Sequence, residues 1–416
     1  MPKNEYGLVK YACYMVSASM AVVTTLSPLL FLTFRNLYDI SFSKLGALVF
    51  INFSTQLIVD LILSFYSHKF TMSKMVKITP VLTALGLFVY GLSPYIFPNN
   101  VYLGVLIGTL IFSASSGLAE VLISPVIAAL PSDNPEREMS KLHSTYAWGV
   151  VVVVIVSTLL LTVLGKERWQ WLAFFWTLPP LTASFLFTRS TIPKLETPKK
   201  VSSAFSLLKQ KEFLICLACI ALGGASECTM AQWSSSYLEQ ALKISKVWGD
   251  IFGVALFAVM LGTGRTLYSR IGKNIYKTLA VSAVGATVCY AVASFSNIPF
   301  VGLVACALTG LCTAMLWPGS LIVVSEKFPA GGVAIFAFMA AAGDLGAALG
   351  PQLVGSVVDF SIKNARIIDW ALRTGIGIEQ AAMKIGLFSA LAFPILATML
   401  YTRNFLKKKR EEAAKT

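Results

Sequence analysis

Twelve apolar runs, each long enough to cross a lipid bilayer, recur along this chain, and no other feature restricts its fold as tightly. They cover residues 8–34, 44–67, 74–94, 101–130, 142–164, 168–188, 212–238, 247–269, 275–294, 299–324, 331–359 and 382–402. A helix needs about 20 mostly apolar residues to traverse the hydrocarbon. Lipid offers the backbone no hydrogen-bond partner, so each run must satisfy its own amides and carbonyls as an α-helix. Composition agrees: 56% of residues are apolar and 13% charged, about half the charged share of a soluble protein. The reading is an all-α membrane protein with twelve transmembrane helices.

The net charge of +14 could suggest nucleic acid, but its distribution suggests a membrane. With the N-terminus placed in the cytoplasm, 23 lysines and arginines fall in inner segments and 10 in outer loops. This positive-inside asymmetry puts both termini on the cytoplasmic side of a cell membrane, and no nucleic-acid partner is expected. The opening MPKNEYGLVKY lacks the h-region and cleavage site of a secretory signal, so the first span is expected to be retained. The basic tail KKKREEAAK reads as a stop-transfer, lipid-facing flank.

Residues 189–211, RSTIPKLETPKKVSSAFSLLKQK, form the long polar interruption on the inner side. Prolines, serines and charge mark a linker over 191–210, dividing the chain into halves at 1–190 and 211–416. The halves echo each other. GLAEVLISP (117–125) aligns without gaps with GLCTAMLWP (310–318), and FYSHKF (65–70) with LYSRIG (267–272). Such parallel repeats mark two related bundles of six helices each.

Two pseudo-symmetric six-helix bundles, a basic central linker and inward termini resemble the major facilitator superfamily over essentially the whole chain. That family's loop signature, roughly GxxxDRxGR, survives in part: SRIGK (269–273) keeps Arg, Gly and Lys but has Ser269 where Asp is expected. A narrower likeness is to the fucose permease and sugar–cation symporter branch. There a Glu precedes a Pro by four to six residues in span four, and a polar-aromatic-Gly segment opens span five. Glu120 with Pro125, and the stretch His143–Gly149, match by position. The resemblance implies a coupling or sugar-binding role for Glu120. The fucose permease also carries a span-one carboxylate that this chain lacks.

Four carboxylates stand out within the apolar runs: Asp60, Glu120, Glu227 and Asp344. A charge in hydrocarbon costs about 3 kcal/mol on insertion scales, so such groups either serve ion or substrate pathways or form structural ion pairs. Arg265, a cation inside a run, can neutralise one of them at most. Asn52, Gln56 and Asp60 recur every four residues on one helical face, continued by Ser64 and His68. That ladder lines a cavity or ion site, or else glues span two to its neighbours. His143 is a candidate proton relay or a structural histidine. In ECTMAQWSSSY (227–237), Gln232 and Trp233 join Glu227 as an amide and a stacking face of the kind a sugar needs. Tyr146, Trp148 and Trp317 are further candidates, with packing as the plain alternative. Trp169, Trp171 and Trp248, at span ends, read as interfacial belt.

The seven cysteines sit singly within apolar runs and read as small apolar filler. No metal site or cofactor is expected. The absence of a P-loop removes an ATP-driven pump, and no nucleophile–base set suggests an enzyme. Gly346 and Gly350 form a GxxxG in span eleven, suited to close helix approach. The outer loop 359–384 is expected to hold a short amphipathic helix. The favoured function is a monomeric, cation-coupled symporter (H⁺ or Na⁺) of a small polar solute such as a sugar. A drug–proton antiporter is the rival within transport, and a non-transporting sensor or scaffold the rival from another class.

Overall fold

The computed structural model describes residues 6–66, 69–131, 135–193, 204–328 and 332–414. His68 and linker residues 194–203 lie outside them. All regular structure among the described residues is helical. Among the described residues, twelve helices are long and apolar enough to span a membrane: Gly7–Leu29, Phe42–Leu63, Met72–Ile96, Val101–Ala128, Ser144–Leu164, Lys166–Thr188, Lys211–Leu242, Lys246–Tyr268, Ile275–Phe295, Pro299–Lys327, Ile335–Lys363 and Ile378–Ala413. They are numbered here as spans one to twelve.

The chain separates into two compact units, residues 1–40 with 51–201, and residues 41–50 with 202–416. Residues 41–50, which open span two, therefore pack with the second unit, and a carboxylate is one of the groups that hold them there. Asp359, near the end of span eleven, accepts the backbone N–H groups of Phe42 at 3.0 Å and Ser43 at 2.7 Å. A helix's first N–H groups lack partners within the helix, and a negative charge there meets the positive end of its dipole.

In the first unit, Val9, Ala12, Val16, Leu122, Val126 and Phe187 are among the residues of one buried apolar cluster. Beside it is an aromatic cluster. Trp169 is fully buried, with Phe34 at 4.8 Å and Tyr90 at 5.7 Å between ring centroids, and its Nε1 donates to the Tyr38 hydroxyl at 3.0 Å. This corrects the interfacial reading of Trp169: its N–H finds a partner inside the protein, so the ring need not sit at the water boundary. Trp171 and Trp248 are exposed.

The second unit contains the break that matters most for its chemistry. Span ten is helical to Thr313 and resumes at Leu316. Pro318 permits it: it has no N–H to offer the carbonyl of Ala314, and its ring crowds that oxygen. Span eleven packs closely on span seven, for a Cβ on Gly346 would lie 1.8 Å from the Ala221 carbonyl. The tail continues span twelve as helix through Ala413. Lys407 reaches Glu212 at 2.8 Å and Lys408 reaches Glu326 at 2.6 Å. These tail lysines are thus tied to acids on spans seven and ten, where the sequence suggested a lipid-facing flank.

The loop after span eleven folds into a short helix, Ala365–Thr374. Asn364 caps it by accepting the N–H groups of Arg366 and Ile367, and Gly375 ends it at φ +70°. Ala371 is buried, while Trp370 and Leu372 are exposed.

Candidate functional site

In the first unit the ladder on span two is internal. Asn52, Gln56 and Asp60 are all buried. Gln56 Nε2 donates to Asn52 Oδ1 at 2.8 Å, and Ser113 of span four donates to the same oxygen at 2.7 Å. The glue between spans two and four thus exists, but it stops short of Asp60, whose Oδ1 is buried with no hydrogen-bond partner among the described residues.

The packing that positions Asp60 comes from Gly117. A Cβ there would meet Val59 at 2.9 Å, the Gln56 carbonyl at 3.0 Å and Asp60 Oδ1 at 3.1 Å. With no side chain at 117, span four lies against span two, and Glu120, on the next turn, comes to Asp60. Each residue offers a carboxylate oxygen within 4.8 Å of the other's. Asp60 is buried and Glu120 exposed. Two carboxylates this close repel each other when both are ionised, and a cation between them relieves that repulsion.

The repeat has a structural counterpart in the second unit. Gly310, the echo of Gly117, lies against the Phe257 carbonyl of span eight, 2.3 Å from where its Cβ would be. Equivalent glycines thus seat span four on span two and span ten on span eight. The chemistry beside them differs, since Thr313 stands where the first unit has Glu120. Here the charged pair is Glu227 with Arg265, Oε1 to Nη2, at 3.5 Å. Arg265 Nε also donates to the Ala314 carbonyl at 3.2 Å, the oxygen that Pro318 leaves free. Cys228 lies within electrostatic reach of Glu227, Asp344 and Arg265.

The remaining candidates are scattered. Helix Pro135–Leu164 carries His143, whose side chain lies outside the described positions, as does that of Ser64. Tyr146 shares a hydrogen bond of 3.2 Å with Thr24 of span one. Trp148 is exposed and lines, with Tyr14, Ala18 and Thr145, an open groove of about 620 Å³. Trp233 is buried, bonded through Nε1 to the Pro351 carbonyl at 2.9 Å and packed on Phe42. It presents no open face for a sugar ring. Trp317 lies over Gly343 and Gly224, next to Asp344, which is buried like Gln232.

Asp250 is a buried charge that the sequence reading passed over. It sits in a π-helical stretch, Gly249–Ala255, accepts a very short hydrogen bond from Ser235, and pairs with Lys246 at 3.1 Å. The Lys–Asp spacing of four residues at the start of an apolar run was the available signal. Outside the spans, Glu138 accepts from Tyr14 at 3.0 Å and pairs with Lys10 and, at 3.0 Å, Lys141. Bonds from Lys10 and Lys141 hold its carboxyl down at about 2.

Comparison with known proteins bears on this architecture. No curated protein matches the chain closely enough in sequence to count as a relative. The solved structures it resembles include the nucleoside transporter NupG, with a TM-score of 0.71 and 17% identity over 96% of this chain and 99% of that one. A bacterial homolog of the human lysosomal transporter Spinster gives 0.73 and 14% over 98% of both chains. The E. coli fucose:proton symporter FucP gives 0.59 and 17% over 95% and 99%. At these identities the likeness is one of fold. The model of the Major Facilitator Superfamily matches residues 12–351, and with that span of agreement the chain belongs to the major facilitator superfamily of membrane transporters.

Proposed function

We propose that this transporter is a cation-coupled symporter of a small polar solute such as a sugar, with Asp60 and Glu120 as the coupling pair. The observation that carries the reading is a buried carboxylate, Asp60, with an unpartnered oxygen beside a second carboxylate. Such a pair has little value as packing and favours a cation. Proton and sodium both satisfy it. In this reading the halves 1–190 and 211–416 rock against each other, both termini are cytoplasmic and the monomer is sufficient. Gln56 and Asn52 orient Asp60, and Glu227, Asp344 and Gln232 are candidates for the solute side.

Uptake into proteoliposomes across a sugar panel, with pH and sodium gradients imposed separately, tests the proposal. Glu120→Gln keeps shape and hydrogen bonding while removing the charge. It should lower gradient-driven accumulation at least about tenfold, a loss of roughly 1.4 kcal/mol in coupling, and leave counterflow exchange measurable. Asp60→Asn should do the same. Full accumulation by both variants would sink the coupling assignment.

A further inference from the structure

Arg265 is the charged group that the carboxylate pair leaves unexplained. A guanidinium inside a span costs about 3 kcal/mol on insertion scales unless it is paired or meets water. Arg265 is only loosely paired. Its 3.5 Å separation from Glu227 exceeds the roughly 2.7–2.9 Å of a well-made charge-assisted bond. Its side chain stays 43% exposed. Bonds to spans seven and ten hold its stem within the second unit and leave the open edge of the fork uncovered. Beyond Nε and Nη2, its donors meet no partner among the described residues. Glu227 is unsatisfied too: its Oε2 is buried with no hydrogen-bond partner among the described residues.

A structural staple for the break in span ten needs the Nε bond to the Ala314 carbonyl and nothing else. That bond fixes the position of the guanidinium while leaving its outer edge free. A planar fork held this way is matched by a carboxylate, which accepts two parallel N–H bonds. A monoanion can replace the Glu227 carboxylate without changing the charge opposite Arg265.

We propose that Arg265 anchors a carboxylate carried by the transported solute, which takes over the guanidinium edge held loosely by Glu227. The inference rests on the transporter reading and narrows its substrate class from small polar solutes at large to polar organic acids, sugar acids included. Glu227 then acts as a stand-in for the solute, keeping the cation compensated when the site is empty.

Thermal unfolding of the purified protein tests this without any gradient, so its outcome is separate from the flux measurements above. The probes are matched acid and neutral pairs: glucuronate with glucose, lactate with propane-1,2-diol, glutamate with glutamine. At least one acid should raise the unfolding temperature about 2 °C or more beyond its neutral partner. Glu227→Gln removes the competitor and should enlarge that shift, a result no purely structural Arg265 predicts. The paired variant Glu227→Gln/Arg265→Gln should abolish it, and Arg265→Lys should keep part of it. If the paired variant does not fold, the enlargement in Glu227→Gln decides. No advantage of any acid in the wild type, an unchanged shift in Glu227→Gln, or a shift that survives in the paired variant would each overturn the proposal.

Discussion

Glycine at 117 and at 310 solves the same packing problem under different tolerances. An added methyl at 117 would touch groups 2.9–3.1 Å away, whereas at 310 it would meet a backbone oxygen at 2.3 Å. Overpacking costs about 1–3 kcal/mol, and alanine in a helix returns about 1 kcal/mol relative to glycine. Gly117→Ala should therefore be nearly neutral in stability, but it displaces Asp60 and should weaken accumulation. Gly310→Ala should lose roughly 2 kcal/mol, because no flexible side chain can give way. Melting curves in detergent beside uptake assays separate the two effects. At Glu138, the depressed carboxyl adds stability that is complete above its unfolded value near 4.5 and disappears as pH falls towards about 2. Exposed pairs contribute up to about 1 kcal/mol. The gap in melting temperature between wild type and Glu138→Gln should be present at pH 7 and close between about pH 5 and pH 2.

Among the elements, span ten shows how one residue sets both shape and chemistry. Pro318 removes the donor that would have closed the turn at Ala314, and Arg265 occupies the freed carbonyl at 3.2 Å. Pro318→Ala restores that N–H. A backbone bond then competes with the guanidinium, the break between Thr313 and Leu316 tightens, and Arg265 loses its fixed point. Amide exchange over 314–320 should slow several-fold, a change of about 1 kcal/mol. Unchanged exchange would mean that the break is imposed by neighbouring helices. Proline 125 occupies the equivalent place in span four, yet that helix runs unbroken from Val101 to Ala128. A proline permits a break, and the partner waiting for the carbonyl decides whether one persists.

For the molecule as a whole, the attachment of residues 41–50 to the second unit rests in part on Asp359. Asp359→Ala removes the acceptor of two backbone N–H groups. Amide exchange at Phe42 and Ser43 should rise about tenfold, equivalent to about 1.4 kcal/mol, with little change in span eleven. An unaltered rate would show that the apolar contacts of Phe42 suffice. Much of the architecture was legible beforehand because lipid leaves a chain few options. Runs of that length must be helices, and the described residues hold twelve of them. Gly117 and Gly310 announced a repeat that the packing reproduces, and charge inside apolar runs marked Asp60, Glu120, Glu227, Asp344 and Arg265 as the residues to explain. Sequence spacing assigns a side chain to a face of its own helix, but it carries no information on which helix that face meets. That Asp60 meets Glu120, that Arg265 divides itself between Glu227 and a carbonyl orphaned by Pro318, that Asp359 caps a helix far away in the chain, and that Trp169 is internal were decided by tertiary packing. The rotation and close approach of neighbouring helices, set by glycines and by buried hydrogen bonds, determine which candidate charges become pairs.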